Sequence, residues 1–115
     1  MKRILTPLLF TFLISTLSAS LANAQLYINE FLASNATGIT DESGEFEDWI
    51  EIYNAGSSAV DLAGYYMSDD VTEPLIWQIP AGNASLTTVP AGGYLILWAD
   101  KDLADGVNHI NIKLG

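Results

Sequence analysis

From residue 25 onward the apolar positions of this chain recur at every second residue, not every third or fourth. In Asp48–Asn54, Ile50 and Ile52 fall on one face and Trp49, Glu51 and Tyr53 on the other. Ile110, Ile112 and Leu114 alternate with His109, Asn111 and Lys113, and Leu75, Trp77 and Ile79 alternate with Ile76 and Gln78 until Pro80 stops pairing. Alternation of this kind marks a strand with one wet face. Leu26–Leu32 sets Leu26, Ile28 and the Phe31-Leu32 pair around Asn29 and Glu30. Gly64–Ser68 is short and aromatic, and Tyr94–Ala99 is a nearly continuous apolar run, as in a central strand.

Turn residues separate these runs: Ser34-Asn35, Asn54-Ala55-Gly56, Ser68-Asp69-Asp70, Pro80-Ala81-Gly82-Asn83, Pro90-Ala91-Gly92-Gly93 and Asp105-Gly106. Glycine admits positive φ, proline presets φ, and Asn and Asp bond their own backbone. Short strands so punctuated predict an all-β sandwich or barrel. The longest gap, Ala33–Glu47, predicts a protruding acidic loop.

The first 24 residues follow another pattern. Lys2 and Arg3 precede an apolar run from Ile4 to Leu17, and small residues then lead to Ala22-x-Ala24. Charge, apolar run and small-x-small in that order are the pattern of a secretory signal peptide. The run is shorter than the roughly 20 residues of a bilayer span. Residues 1–24 are therefore expected to form a signal-peptide helix, cleaved between Ala24 and Gln25, with residues 25–115 as the mature domain.

That division explains an odd composition, half hydrophobic yet formally charged −10. The piece after Ala24 has 91 residues, all 14 acids and only Lys101 and Lys113 as bases, a net charge of −12. Such a surface repels nucleic-acid phosphates and anionic membranes. The chain has no cysteine, which excludes a disulfide scaffold, a thiolate metal site and a Cys nucleophile. Export without disulfides fits a bacterial protein of the envelope or the extracellular space.

Five motifs in order then carry a resemblance: Ile28-Asn29-Glu30-Phe31-Leu32-Ala33-Ser34-Asn35, Asp48-Trp49-Ile50-Glu51-Ile52-Tyr53-Asn54, Val60-Asp61-Leu62-Ala63-Gly64-Tyr65-Tyr66-Met67-Ser68-Asp69, Trp77-Gln78-Ile79-Pro80, and Val89-Pro90-Ala91-Gly92-Gly93-Tyr94-Leu95-Ile96-Leu97-Trp98-Ala99. This series closely resembles the bacterial lamin tail domain family over residues 26–115. The resemblance implies an immunoglobulin-like β-sandwich, used as a non-catalytic module of large exported or surface proteins. Family members continue past the segment like His109–Leu114 with a Gly-Glu turn and at least one further strand. The resemblance thus implies a natural protein extending beyond Gly115, and a domain here short of its last strand or strands.

Candidate chemistry is sparse. The acidic stretch Asp41-Glu42-Ser43-Gly44-Glu45-Phe46-Glu47-Asp48 offers hard oxygen ligands for calcium, with Asp41 and Glu42 at its head; the plain alternative is a solvated loop. Asp100, Asp102 and Asp105, followed by Gly106, approach the spacing of a calcium loop. One extra residue separates the second and third Asp, and Asn111 stands where a bidentate Glu belongs. Trp77 and Trp98 read as core. The face carrying Trp49, Glu51 and Tyr53, if exposed, is the best binding surface for a protein or a surface glycan. His109, the sole histidine, reads as solvent-exposed on the polar face of its strand, and no Gly-x-Ser-x-Gly elbow accompanies it.

These readings converge on an exported, non-catalytic structural or interaction module, without nucleic-acid binding, without membrane insertion after cleavage, and without a cofactor unless calcium binds. The alternatives are the N-terminal appendage of a longer secreted hydrolase and a calcium-stabilised adhesion module.

Overall fold

The computed structural model describes residues 25–115; the expected signal-peptide helix and its cleavage site at Ala24 lie outside or at the border of this span. The described residues are nearly all strand and turn, with eight short elements. These are β1 (Leu26–Leu32), β2 (Trp49–Asn54), β3 (Val60–Asp61), β4 (Tyr66–Met67), β5 (Trp77–Gln78), a single helical turn α1 (Ala84–Thr87), β6 (Thr88–Val89) and β7 (Tyr94–Trp98). No helix among them is long and apolar enough to cross a membrane.

The antiparallel sheet β1-β2-β7 is the main layer, with the pairs β3-β6 and β4-β5 as smaller ladders. Residues directly opposite in an antiparallel pair share a face. Ile50 lies opposite Phe31 and Leu97, and Ile52 opposite Ile28 and Leu95, so these form the inner face. Trp49, Glu51 and Tyr53 lie opposite Trp98, Ile96 and Tyr94 on the outer face. Ile50, Ile52 and Leu97 pack with Leu62, Ile79, Val89, Ala99, Ile110 and Ile112 into one core. The fold is the all-β, immunoglobulin-like sandwich that the alternation and the resemblance both imply.

Buried polar groups hold the connections. Asn54 is fully buried, and its amide donates to the carbonyls of Ser58 (2.8 Å) and Val89 (3.2 Å) while its oxygen accepts the Gly56 N–H. The Asn54–Ser58 turn is thereby tied to β6. The Thr87 hydroxyl donates to Asp61 at 2.6 Å, joining α1 to β3. This bond, with that from the Ala63 N–H, holds the Asp61 carboxyl below its ordinary pKa.

Two expected strands are shorter than their patterns. Leu75 and Ile76 are exposed, and only Trp77–Gln78 pairs. Around His109 the ladder shrinks to one parallel bridge with Trp98, although Ile110 and Ile112 are buried as their alternation requires. Period-two burial needs an extended backbone but not a partner strand, which is why the pattern overstates pairing.

Candidate functional site

The two acidic loops converge on His109. The first is built on Asn35, whose amide donates to the carbonyls of Ile39 (2.7 Å) and Glu47 (2.9 Å) and whose oxygen accepts the Gly38 N–H at 2.9 Å. A Cβ at Gly38 would stand 2.7 Å from that oxygen, so the turn requires glycine. Within the loop, Asp41 Oδ1 accepts the N–H groups of Ser43 and Glu45, each at 2.9 Å. The loop is thus a folded turn around a half-committed carboxylate, not a solvated tail.

The second loop follows β7. Asp100 Oδ1 accepts the Asp102 N–H at 2.9 Å, and its Oδ2 lies 2.6 Å from His109 Nδ1. Glu42 reaches across from the first loop, with Oε2 at 3.2 Å from His109 Nε2 and Oε1 accepting from the Asn108 amide at 3.2 Å. The expectation of an exposed His109 is corrected: its ring is 0 % exposed. Strand alternation placed Ile110 and Ile112 in the core properly, but it carries no information on the two loops that close over the opposite side. Trp98 covers the ring further, with centroids 6.3 Å apart.

Of the expected calcium ligands, Asp41, Glu42, Asp100 and Asp105 come together here. Donor atoms of Asp41, Asp105 and His109 lie within 4.8 Å of one another. Asp102 stands outside this group, exposed, and serves through its N–H. Sequence reading missed His109 and Asn108; a histidine nine residues after an Asp, behind an Asp-Gly turn, was the only available signal.

The electrostatics follow from the geometry. Burial pulls the His109 pKa down, but the hydrogen bonds to Asp100 and Glu42 and their charges more than offset it and hold it above the ordinary 6.5. Burial pushes Glu42 up, yet a backbone N–H, the Asn108 amide and His109 bring it below its ordinary value. Glu47, partly desolvated and near Asp100 and Glu45, is raised. His109 and Asp100 make the His–Asp half of a hydrolytic triad, but Nε2 faces a carboxylate where a triad needs a hydroxyl.

The second candidate surface lies on the main sheet. Trp49 is buried, so the premise of an exposed tryptophan on the outer face is corrected; it lies opposite Trp98 and Leu32, at the end where the loops close. Glu51 accepts from the Asn29 amide at 2.7 Å, and Tyr53 packs on Tyr94 with ring centroids 4.8 Å apart. The inner face shows more. Ile28 and Phe31 point inward with Ile52 and Ile50, yet each is 63 % exposed among the described residues; β4 borders them through Met67 without covering them. A groove of about 150 Å³ results, walled by Ile28, Phe31, Ile50, Met67, Ile112 and Leu114, with Asp69 at its rim. A second of about 190 Å³ continues along β1 toward Tyr65 and Ile79.

Comparison with curated proteins and with solved structures returned no match. The family model described as Lamin Tail Domain matches residues 19–113, a span that includes β1–β7, both loops and all of the groove wall but Leu114, and the chain belongs to the lamin tail domain family.

Proposed function

We propose that this chain is a non-catalytic interaction module of an exported protein, and that it binds an extended segment of a protein partner along the free edge of β1. The carrying observation is the groove beside that edge. Among the described residues β1 pairs with β2 on one side only, leaving backbone donors and acceptors on the other. Ile28 and Phe31 stand uncovered next to them. An added strand would use the edge for main-chain hydrogen bonds and the groove for every second side chain. A net charge of −12 after residue 24, with Asp69 in the groove wall, selects a partner segment that alternates apolar with basic residues. Export rests on the charge, apolar run and small-x-small order of residues 2–24.

Fluorescence polarisation with a labelled decapeptide alternating valine and lysine tests this. Saturable binding is expected, lost with Ile28→Lys and with Phe31→Lys, and lost when a central valine of the peptide becomes proline. Equal binding of the proline-interrupted peptide would show mere charge attraction and overturn strand addition.

A further inference from the structure

We propose that His109, Asp41 and Asp105 hold a divalent transition-metal ion of the zinc class, with the side-chain oxygen of Asn108 as an additional ligand. The proposal stands apart from strand addition, since it concerns the loop end and not the β1 edge.

The first support is the orientation of the imidazole. Asp100 Oδ2, at 2.6 Å, takes the Nδ1 side of the buried ring. A carboxylate on one ring nitrogen fixes the tautomer and leaves the other nitrogen as the metal ligand. Here the other nitrogen, Nε2, faces Glu42 at 3.2 Å, and the His109 ring belongs to a group of donors, with Asp41 and Asp105, that are mutually within 4.8 Å. Asp41 contributes Oδ2, since Oδ1 is occupied by two backbone N–H groups.

The second support is independent of the acids. Asn108 is buried, and its Oδ1 has no hydrogen-bond partner. Such a group costs about 1–3 kcal/mol unless something meets it. Its Nδ2 donates to Glu42, and its Oδ1 lies 2.7 Å from where a Cβ of Gly106 would stand, a point 3.5 Å from Leu86 Cδ1 and 3.7 Å from His109 Cδ2. A side chain at position 106 would press on the orphaned oxygen beside the His109 ring, and glycine leaves it uncrowded.

The third support is charge. Among the described residues the ion pairs of this end are those of His109 with Glu42 and Asp100, and Asp41 and Asp105 add two further carboxylates beside the ring. A divalent ion on the ring would offset two units of that negative charge. Calcium prefers all-oxygen sites, whereas one imidazole with carboxylates suits zinc. Bound there, the ion would fasten the 41–48 loop to the 100–109 loop.

Isothermal titration of the full chain, stripped of metal by chelator, with Zn²⁺ alone tests the site. One ion per chain and a higher Tm are expected. Asp105→Asn, at an exposed turn, should weaken binding at least about tenfold while leaving the metal-free Tm unchanged. Asp100→Asn should weaken it about 10–100-fold through the loss of ring orientation. Absence of both heat and Tm shift with Zn²⁺ overturns the proposal. So does Zn²⁺ binding that is indifferent to Asp105→Asn and Asn108→Ala. Binding of Ca²⁺ in place of Zn²⁺, unaltered by His109→Gln, overturns the imidazole ligand and returns the site to oxygen alone.

Discussion

The two ends of interest break the usual rule of burial in opposite directions. At the loop end, charged groups are inside: His109 and Asp100 are buried as a hydrogen-bonded pair. Along β1, apolar groups are outside: Ile28 and Phe31 project from the inner face into an open groove and stay largely exposed among the described residues. A buried charge persists only when paired, so the loop end is self-sufficient and its energy is internal. An uncovered apolar strip on a strand edge is the reverse, a surface whose energy is realised against another chain. Stability and binding are therefore expected to map to different residues.

Substitutions can break that division, and the core sets the scale. Leu97→Ala, at a fully buried position opposite Ile50, should cost about 2–5 kcal/mol in urea unfolding. At the loop end, His109→Ala should cost about 3 kcal/mol, because it strands Asp100 as a buried charge without its partner; a loss below about 0.5 kcal/mol would show that water replaces the ring freely.

The pH profile sharpens the same point. His109 has a raised folded pKa, so its contribution is complete below about pH 6.5 and is lost as pH rises through the folded value. Glu42 has a lowered one, so its contribution is present above about 4.5 and is lost as pH falls through the folded value. The metal-free chain should thus exceed its His109→Gln variant most between these limits, with the difference shrinking at alkaline pH. A difference that grows with pH would contradict the protonated pair. The smallest effect belongs to β1. Ile28→Ser should change unfolding by less than about 0.5 kcal/mol while abolishing peptide binding, and a large destabilisation would make β1 part of the core.

The sheet was legible in the sequence because its faces are unequal. Ile50, Ile52 and Leu97 are apolar where the pleat points inward, and one face of β2 carries Glu51. Pattern could not reveal β3 and β6, whose two-residue ladders are shorter than any period. The metal-ligand candidates were legible as residue types but not as a group. Asp41 and Asp105 are 64 positions apart in the chain, and their meeting depends on Asn35 folding one loop and on Asp100 fixing the other. His109 was misplaced for the same reason. Its strand pattern is real, but the carboxylates that bury it come from elsewhere. Trp49 shares its face with Glu51 and Tyr53 as the alternation requires, yet the sheet end it occupies is covered.

One residue of β1 has consequences out of proportion to its size. Pairing shifts register between Ile28 and Glu30, so Asn29 is an extra residue against β2. Because of it, Ile28 and Phe31, three positions apart, look the same way. A strict alternation would have turned Phe31 to the opposite side, beside Glu51. In genetic terms Asn29 behaves as a tolerated insertion: removing its codon would leave Ile28 and Phe31 two positions apart, on one face by plain alternation and still opposite Ile52 and Ile50, so the groove should survive the deletion on a straighter β1.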